Sequence, residues 1–138
     1  MQKFYYFELV PISMDYRKLY QDILSLDPNI RLVTICDKNG KIVYSAHREG
    51  VHNLLTQEES KKSLELAINA WRTRSELSPK IGKGKYVLAE YEKLKRITMP
   101  LANDAENHLL YITTEPQADH EKIIEGISKI VIRKTLKF

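Results

Sequence analysis

The segment "RLVTICDKNGKIVYSAH", residues 31–47, decides the fold because it joins two runs rich in β-branched residues through a tight turn. An Asn-Gly pair between such runs, here Asn39-Gly40, is the strongest short signal of a β-hairpin. The pattern therefore predicts two antiparallel strands, near residues 30–36 and 41–47.

A helix is predicted before this hairpin and another at the end of the chain. Asp15 can cap the first, whose apolar residues recur at helical spacing until Pro28 stops it. The last helix begins between residues 116 and 119, where proline and acidic residues suit a first turn. Gly126 borders its apolar face and permits close backbone approach. That face is formed by Ile123, Ile124, Ile127, Ile130 and Val131.

The central helix starts at the capping box "TQEE", in which Glu59 reaches back to the amide of Thr56. We expect it to end near Leu77, before the Ser-Pro pair at 78–79. Two apolar stripes run along it, whereas a surface helix needs only one. Either a second molecule covers the extra stripe, or both stripes pack inside one domain. The first stripe is Leu64, Ala67, Ile68 and Trp71; the second is Leu66, Ala70 and Leu77, with Thr73 among them.

Three further strands are predicted at "KYVLAEY" (85–91), "LKRITM" (94–99) and "HLLYITT" (108–114). No linker or repeat interrupts the pattern, so residues 15–138 are interpreted as one domain. Residues 1–14 are interpreted as an N-terminal extension of undetermined role. It could add a strand or cover an apolar patch, and Met14 could be the functional start.

Composition is that of an ordinary globular domain, with 43% hydrophobic and 29% charged residues in 138. No stretch approaches the roughly 18 apolar residues of a membrane span, and no signal peptide is expected. The lone Cys36 cannot form an internal disulfide, which fits a cytoplasmic protein.

Basic charge is concentrated in residues 80–96, which hold six basic and two acidic side chains. The segment "GKGK" lacks the spacing and hydroxyl of a Walker loop, so Gly82 and Gly84 are interpreted as a connector from helix to strand. A weak anion nest is the alternative. Mixed with tyrosines, these cations could also contact a nucleic acid, although alternation places Arg96 on the opposite strand face from its neighbours. The candidate contacts are Lys80, Lys83, Lys85, Lys93, Lys95 and Arg96.

Catalytic and metal sites are not expected. The four histidines form no His-x-x-x-His pair, and no Cys-x-x-Cys exists. "DKNG" lacks the remaining ligands of a calcium loop. Ser45 and His47 have no recognisable triad partner, and Trp71 fits a core position. No cofactor or enzymatic activity is therefore predicted.

The order helix, strand, strand, helix, strand, strand, strand, helix resembles the roadblock (dynein light chain type) family, within the wider profilin-like architecture. It also resembles an uncharacterised family of small archaeal proteins. The resemblance rests on the hairpin, on "TQEESKKSLELAINAW", and on "KYVLAEY", "LKRITMP" and "HLLYITT". It implies an α/β (α+β) domain: a five-stranded antiparallel sheet with the central helix on one face and the terminal helices on the other.

The same resemblance implies a homodimer formed through the central helix and the edge strand. The interface would be Leu66, Ala70, Thr73, Leu77, Tyr86, Val87, Leu88 and Ala89. The leading hypothesis is a non-catalytic adaptor or regulatory module whose partner is a small GTPase or another signalling component. The alternatives are a PAS- or GAF-like sensor, holding a small molecule between the sheet and the terminal helices, and a weak nucleic-acid binder using residues 80–96.

Overall fold

Three helices and five strands follow one another in the predicted order. The structure is a computed structural model that describes residues 15–101 and 108–135, with side chains to residue 131. The extension predicted for residues 1–14 lies outside the described residues. The helices are α1 (Tyr16–Leu24), α2 (Gln57–Ile81) and α3 (His120–Thr135), and the strands are β1 (Ile30–Cys36), β2 (Ile42–His47), β3 (Val87–Glu90), β4 (Lys95–Pro100) and β5 (Leu109–Thr114).

The strands form one antiparallel sheet in the order β2-β1-β5-β4-β3. The hairpin predicted from residues 31–47 is present. The Asp37 carboxylate accepts hydrogen bonds from the amides of Asn39 and Lys41, both at 2.9 Å. These bonds lower the pKa of Asp37, and Gly40 supplies the positive φ that the turn needs. The fold class predicted from the sequence is confirmed.

The terminal helices cover one face of the sheet with an aliphatic core. Alternate strand residues such as Ile35, Ile97 and Ile112 are fully buried against α1 and α3. The five apolar residues predicted for the buried face of α3 are all buried. A Cβ on Gly126 would lie 2.9 Å from Cδ2 of Leu26, which confirms the predicted close approach.

The central helix covers the other face through its first stripe. Leu64 and Ile68 are buried against Cys36, Leu109 and Tyr111. Ala67 and Trp71 are half-buried against the same cluster. The predicted placement of the three helices is therefore confirmed.

The end of α2 differs from the prediction, because the helix continues through Pro79 to Ile81. Proline cannot donate to the carbonyl four residues earlier, which belongs to Ser75. The Ser78 hydroxyl donates to that carbonyl at 2.8 Å instead. Gly82 then ends the helix with φ +91°. The prediction that the Ser-Pro pair at 78–79 ends the helix is therefore wrong, and α2 is about one turn longer than expected.

The edge strand is shorter than predicted, since β3 spans only Val87–Glu90. Tyr91 leaves the strand because its amide donates to the Leu94 carbonyl and closes the turn into β4. Tyr86 precedes the strand and is exposed.

Candidate functional site

The second stripe of α2 is left uncovered by the chain's own sheet. Leu66 is 67% exposed and Leu77 is 49% exposed, with Thr73 exposed and Ala70 half-buried between them. Ile81, 78% exposed, extends this row. The sequence prediction missed it because the helix was expected to end before Pro79.

The edge strand β3 lies beside this stripe and pairs only with β4 among the described strands. Val87 and Ala89 line a small cavity of about 130 Å³ together with Leu66 and Ala70 of α2. Leu88 points the other way and packs against the core under the terminal helices. We call the surface formed by Leu66, Ala70, Leu77, Ile81, Val87 and Ala89 the α2–β3 surface.

The basic residues of 80–96 do not share one surface. Lys80, Lys83, Lys85 and Lys93 are exposed. Lys95 is buried: its Nζ donates to the Ala118 carbonyl at 2.8 Å and lies 2.9 Å from Nδ1 of His120.

Arg96 points to the opposite face from Lys95, as strand alternation predicted. Its guanidinium lies 5.2 Å from the ring centroid of Tyr91 and 5.1 Å from that of Tyr111. The burial of Lys95 does not fit a contact with nucleic acid, and it corrects that part of the predicted set.

The "GKGK" segment has the geometry of a connector. Gly82 has the positive φ that ends α2, and a Cβ on Gly84 would lie 2.7 Å from Cζ3 of Trp71. Trp71 is fixed in turn, because its Nε1 donates to the Thr98 hydroxyl at 2.9 Å. Gly82 therefore ends the helix, and Gly84 leaves the space that the Trp71 ring occupies.

Two pairs of hydroxyl groups lie on the α2-facing side of the sheet. The Thr34 and Ser45 hydroxyls lie 2.8 Å apart, and those of Ser63 and Tyr111 lie 2.6 Å apart. Burial raises the pKa of Tyr111, an effect that the Ser63 hydrogen bond opposes. Burial raises the pKa of Cys36 to about 11. This thiol is therefore a poor nucleophile at neutral pH.

The cavities described for this protein lie on the α2 side of the sheet. The opposite side is filled by the aliphatic core. This corrects the location predicted for a sensor's ligand, which was between the sheet and the terminal helices. A cleft of about 590 Å³ instead lies between α2, the 52–55 loop and the sheet.

Within residues 15–101 and 108–135, no three histidine, cysteine or acidic side chains converge in a way that could hold a metal ion. The Ser45 hydroxyl is paired with that of Thr34. None of the helices in this described part is both long and apolar enough to cross a membrane.

No family model matches the chain, and a search of curated proteins finds no match either. Solved structures do match. A roadblock/LC7 domain from Streptomyces avermitilis is 11% identical, with a TM-score of 0.63, and covers 87% of this chain and 92% of its own.

Two MglB structures are also similar to this chain. The gliding protein MglB from Thermus thermophilus is 12% identical, with a TM-score of 0.66, covering 86% of this chain and 84% of its own. An MglB described with a tetrameric arrangement is 11% identical, with a TM-score of 0.69, covering 94% and 90%. These structures match most of the chain with TM-scores of 0.63 to 0.69, so the chain has the fold of a roadblock/LC7 domain.

Proposed function

We propose that this protein is a non-catalytic regulatory adaptor that forms a homodimer through the α2–β3 surface. The observation that carries the proposal is the exposure of Leu66, Leu77 and Ile81 in one row beside β3, which pairs only with β4 among the described strands. Burial of apolar surface is worth roughly 25 cal/mol per Å², so a row of large side chains favours association. An exposed strand edge is also a template for pairing with another chain.

A two-fold axis beside β3 would account for both the exposed apolar row on α2 and the exposed edge of β3. In an isologous dimer the same patch meets itself, so the α2 row packs on its symmetry mate while the two β3 edges meet. The solved MglB assembly with a tetrameric arrangement supports association between copies of this fold. Beyond the dimer, the roadblock resemblance suggests a small GTPase or another signalling component as the partner protein.

Solution mass tests the dimer. We expect wild-type protein at micromolar concentration to sediment at twice the 16.1 kDa of one chain. Leu66→Arg and Leu77→Arg should each give the monomer mass, because a desolvated arginine without a partner opposes association. Ser75→Arg is the matched control, since Ser75 is exposed and lies half a turn around the helix from Leu66.

A monomeric wild type would contradict the proposal, as would unchanged masses for both leucine variants. Capture of a small GTPase from the native host by the wild-type protein would then identify the partner class. Failure of direct binding between the purified proteins would remove that assignment.

A further inference from the structure

The cleft on the α2 side is floored by two neighbouring register levels of the sheet. His47, Leu32, Thr113 and Arg96 lie opposite one another across β2, β1, β5 and β4. The next level, at Thr34 and Tyr111, is the one that α2 reaches through Ser63. Thr34 and Tyr111 of this second level line the cleft as well, so its floor extends over both levels.

The roof and walls of the cleft are mainly apolar. Leu54 and Leu55 of the loop before α2 face Leu64 and Leu94 across the opening. Arg31 fixes this loop, because its guanidinium donates to the His52 carbonyl at 2.7 Å. The volume of about 590 Å³ lies within the about 300–1,000 Å³ typical of small-molecule sites.

The charge of the cleft is positive. Arg96 and Lys61 line it, and no aspartate or glutamate is among the lining residues described. Arg31 also lines it, but its charge is compensated by Glu115 at 2.7 Å. Arg96 has no carboxylate partner among the described residues, and its Nε is buried without a hydrogen-bond acceptor. A half-buried cation without a counter-ion favours binding of an anion.

We propose that this cleft binds a small organic anion with an apolar body. The carboxylate or phosphate of the ligand pairs with the Arg96 guanidinium, which the rings of Tyr91 and Tyr111 hold in place. The apolar body packs between Leu32 on the floor and Leu54 and Leu55 above. The proposal goes beyond the adaptor function and does not depend on the dimer.

Titration of the full-length protein with octanoate, followed by amide chemical shifts, tests the site. Octyl phosphate is the second probe, and 1-octanol is the uncharged control. We expect saturable shifts at Leu32, Leu54 and Thr113 with either anion, and affinity for octanol at least about tenfold weaker, a difference of about 1.4 kcal/mol. The stronger of the two anions distinguishes a carboxylate site from a phosphate site.

Arg96→Gln should weaken anion binding by about tenfold or more. Arg74→Gln is the matched control, because Arg74 also lies over an aromatic ring, at 5.2 Å from Trp71, but does not line the cleft. Leu54 lies at an exposed position above the cleft. Leu54→Glu should weaken anion binding to a similar extent, because the new carboxylate repels the anion, and it provides a second test if Arg96→Gln fails to fold.

Solution mass and circular dichroism of each variant separate loss of the ligand from loss of assembly or folding. Absence of shifts with both anions at millimolar concentration would overturn the proposal. Equal affinity for octanol, or unchanged anion binding in Arg96→Gln and Leu54→Glu, would do the same.

Discussion

The two faces of the sheet are built from the same strands but differ in chemistry. The face under the terminal helices carries aliphatic residues such as Ile97 and Ile112, which are fully buried. The face under α2 carries Thr34, Tyr111 and Arg96 at the alternate positions. Since successive side chains of a strand point to opposite faces, one set of residues builds the aliphatic core while the other set packs under α2 and lines the open cleft.

The largest expected difference between the faces is in core stability. Ile112→Ala should lower the free energy of unfolding by about 2–5 kcal/mol, because it leaves a cavity in the aliphatic core. Tyr111→Phe, one residue earlier on the other face, should cost about 1 kcal/mol by removing the hydrogen bond to Ser63. Urea unfolding at a fixed protein concentration measures both. Equal losses of stability in the two variants would contradict this difference between the aliphatic face and the face under α2.

Alanine substitutions at two glycines, one near each face of the sheet, should change stability by smaller amounts. Gly84→Ala should destabilise by about 1–3 kcal/mol, because the new methyl group meets the rigid Trp71 ring. Gly126→Ala should stabilise by less than about 1 kcal/mol, since the gain in helix propensity exceeds the displacement of the exposed end of Leu26. Thermal or urea unfolding of the two variants gives the sign of each change. A stabilising Gly84→Ala would mean that the connector does not contact Trp71.

The last prediction concerns the pH dependence of stability through Cys36, which lies at the end of β1 and is buried against α2. The folded pKa is raised to about 11, whereas an unfolded thiol titrates near about 8.5. The unfolded chain therefore loses this proton first, and stability should fall by about 1–2 kcal/mol as pH rises from about 8.5 to about 10. The measurement is urea unfolding against pH, with Cys36→Ala as the comparison. The alanine variant should have a flatter profile over this window, and identical slopes would show that the thiol is not buried.

The sequence was sufficient for most of the fold because its signals are local. The Asn39-Gly40 turn and the Thr56 capping box each act within a few residues, and both are present. The continuation of α2 past Pro79 was missed because a proline pattern predicts a helix end, whereas here the carbonyl that Pro79 leaves without its amide donor accepts from the Ser78 hydroxyl. Lys95 was misplaced because its partners, Ala118 just before α3 and His120 at the first residue of α3, are distant in sequence.

The candidate surfaces could be predicted only in part. Periodicity placed Leu66 and Leu77 away from the first stripe, since it reports directions around a helix. It could not place the open cleft beside Arg96, which depends on which register level of the sheet α2 covers. That choice is set by packing between distant segments, and no local pattern encodes it.

The length of α2 has a geometric consequence for the whole molecule. With 25 residues at about 1.5 Å each, α2 is about 37 Å long. The sheet measures only about 23 Å along β1 and about 19 Å across its five strands. Even the diagonal of such a sheet, about 30 Å, is shorter than the helix. Part of α2 must therefore extend beyond the sheet, in whichever direction the helix runs. Only a segment or a molecule other than this sheet can cover that part of the helix.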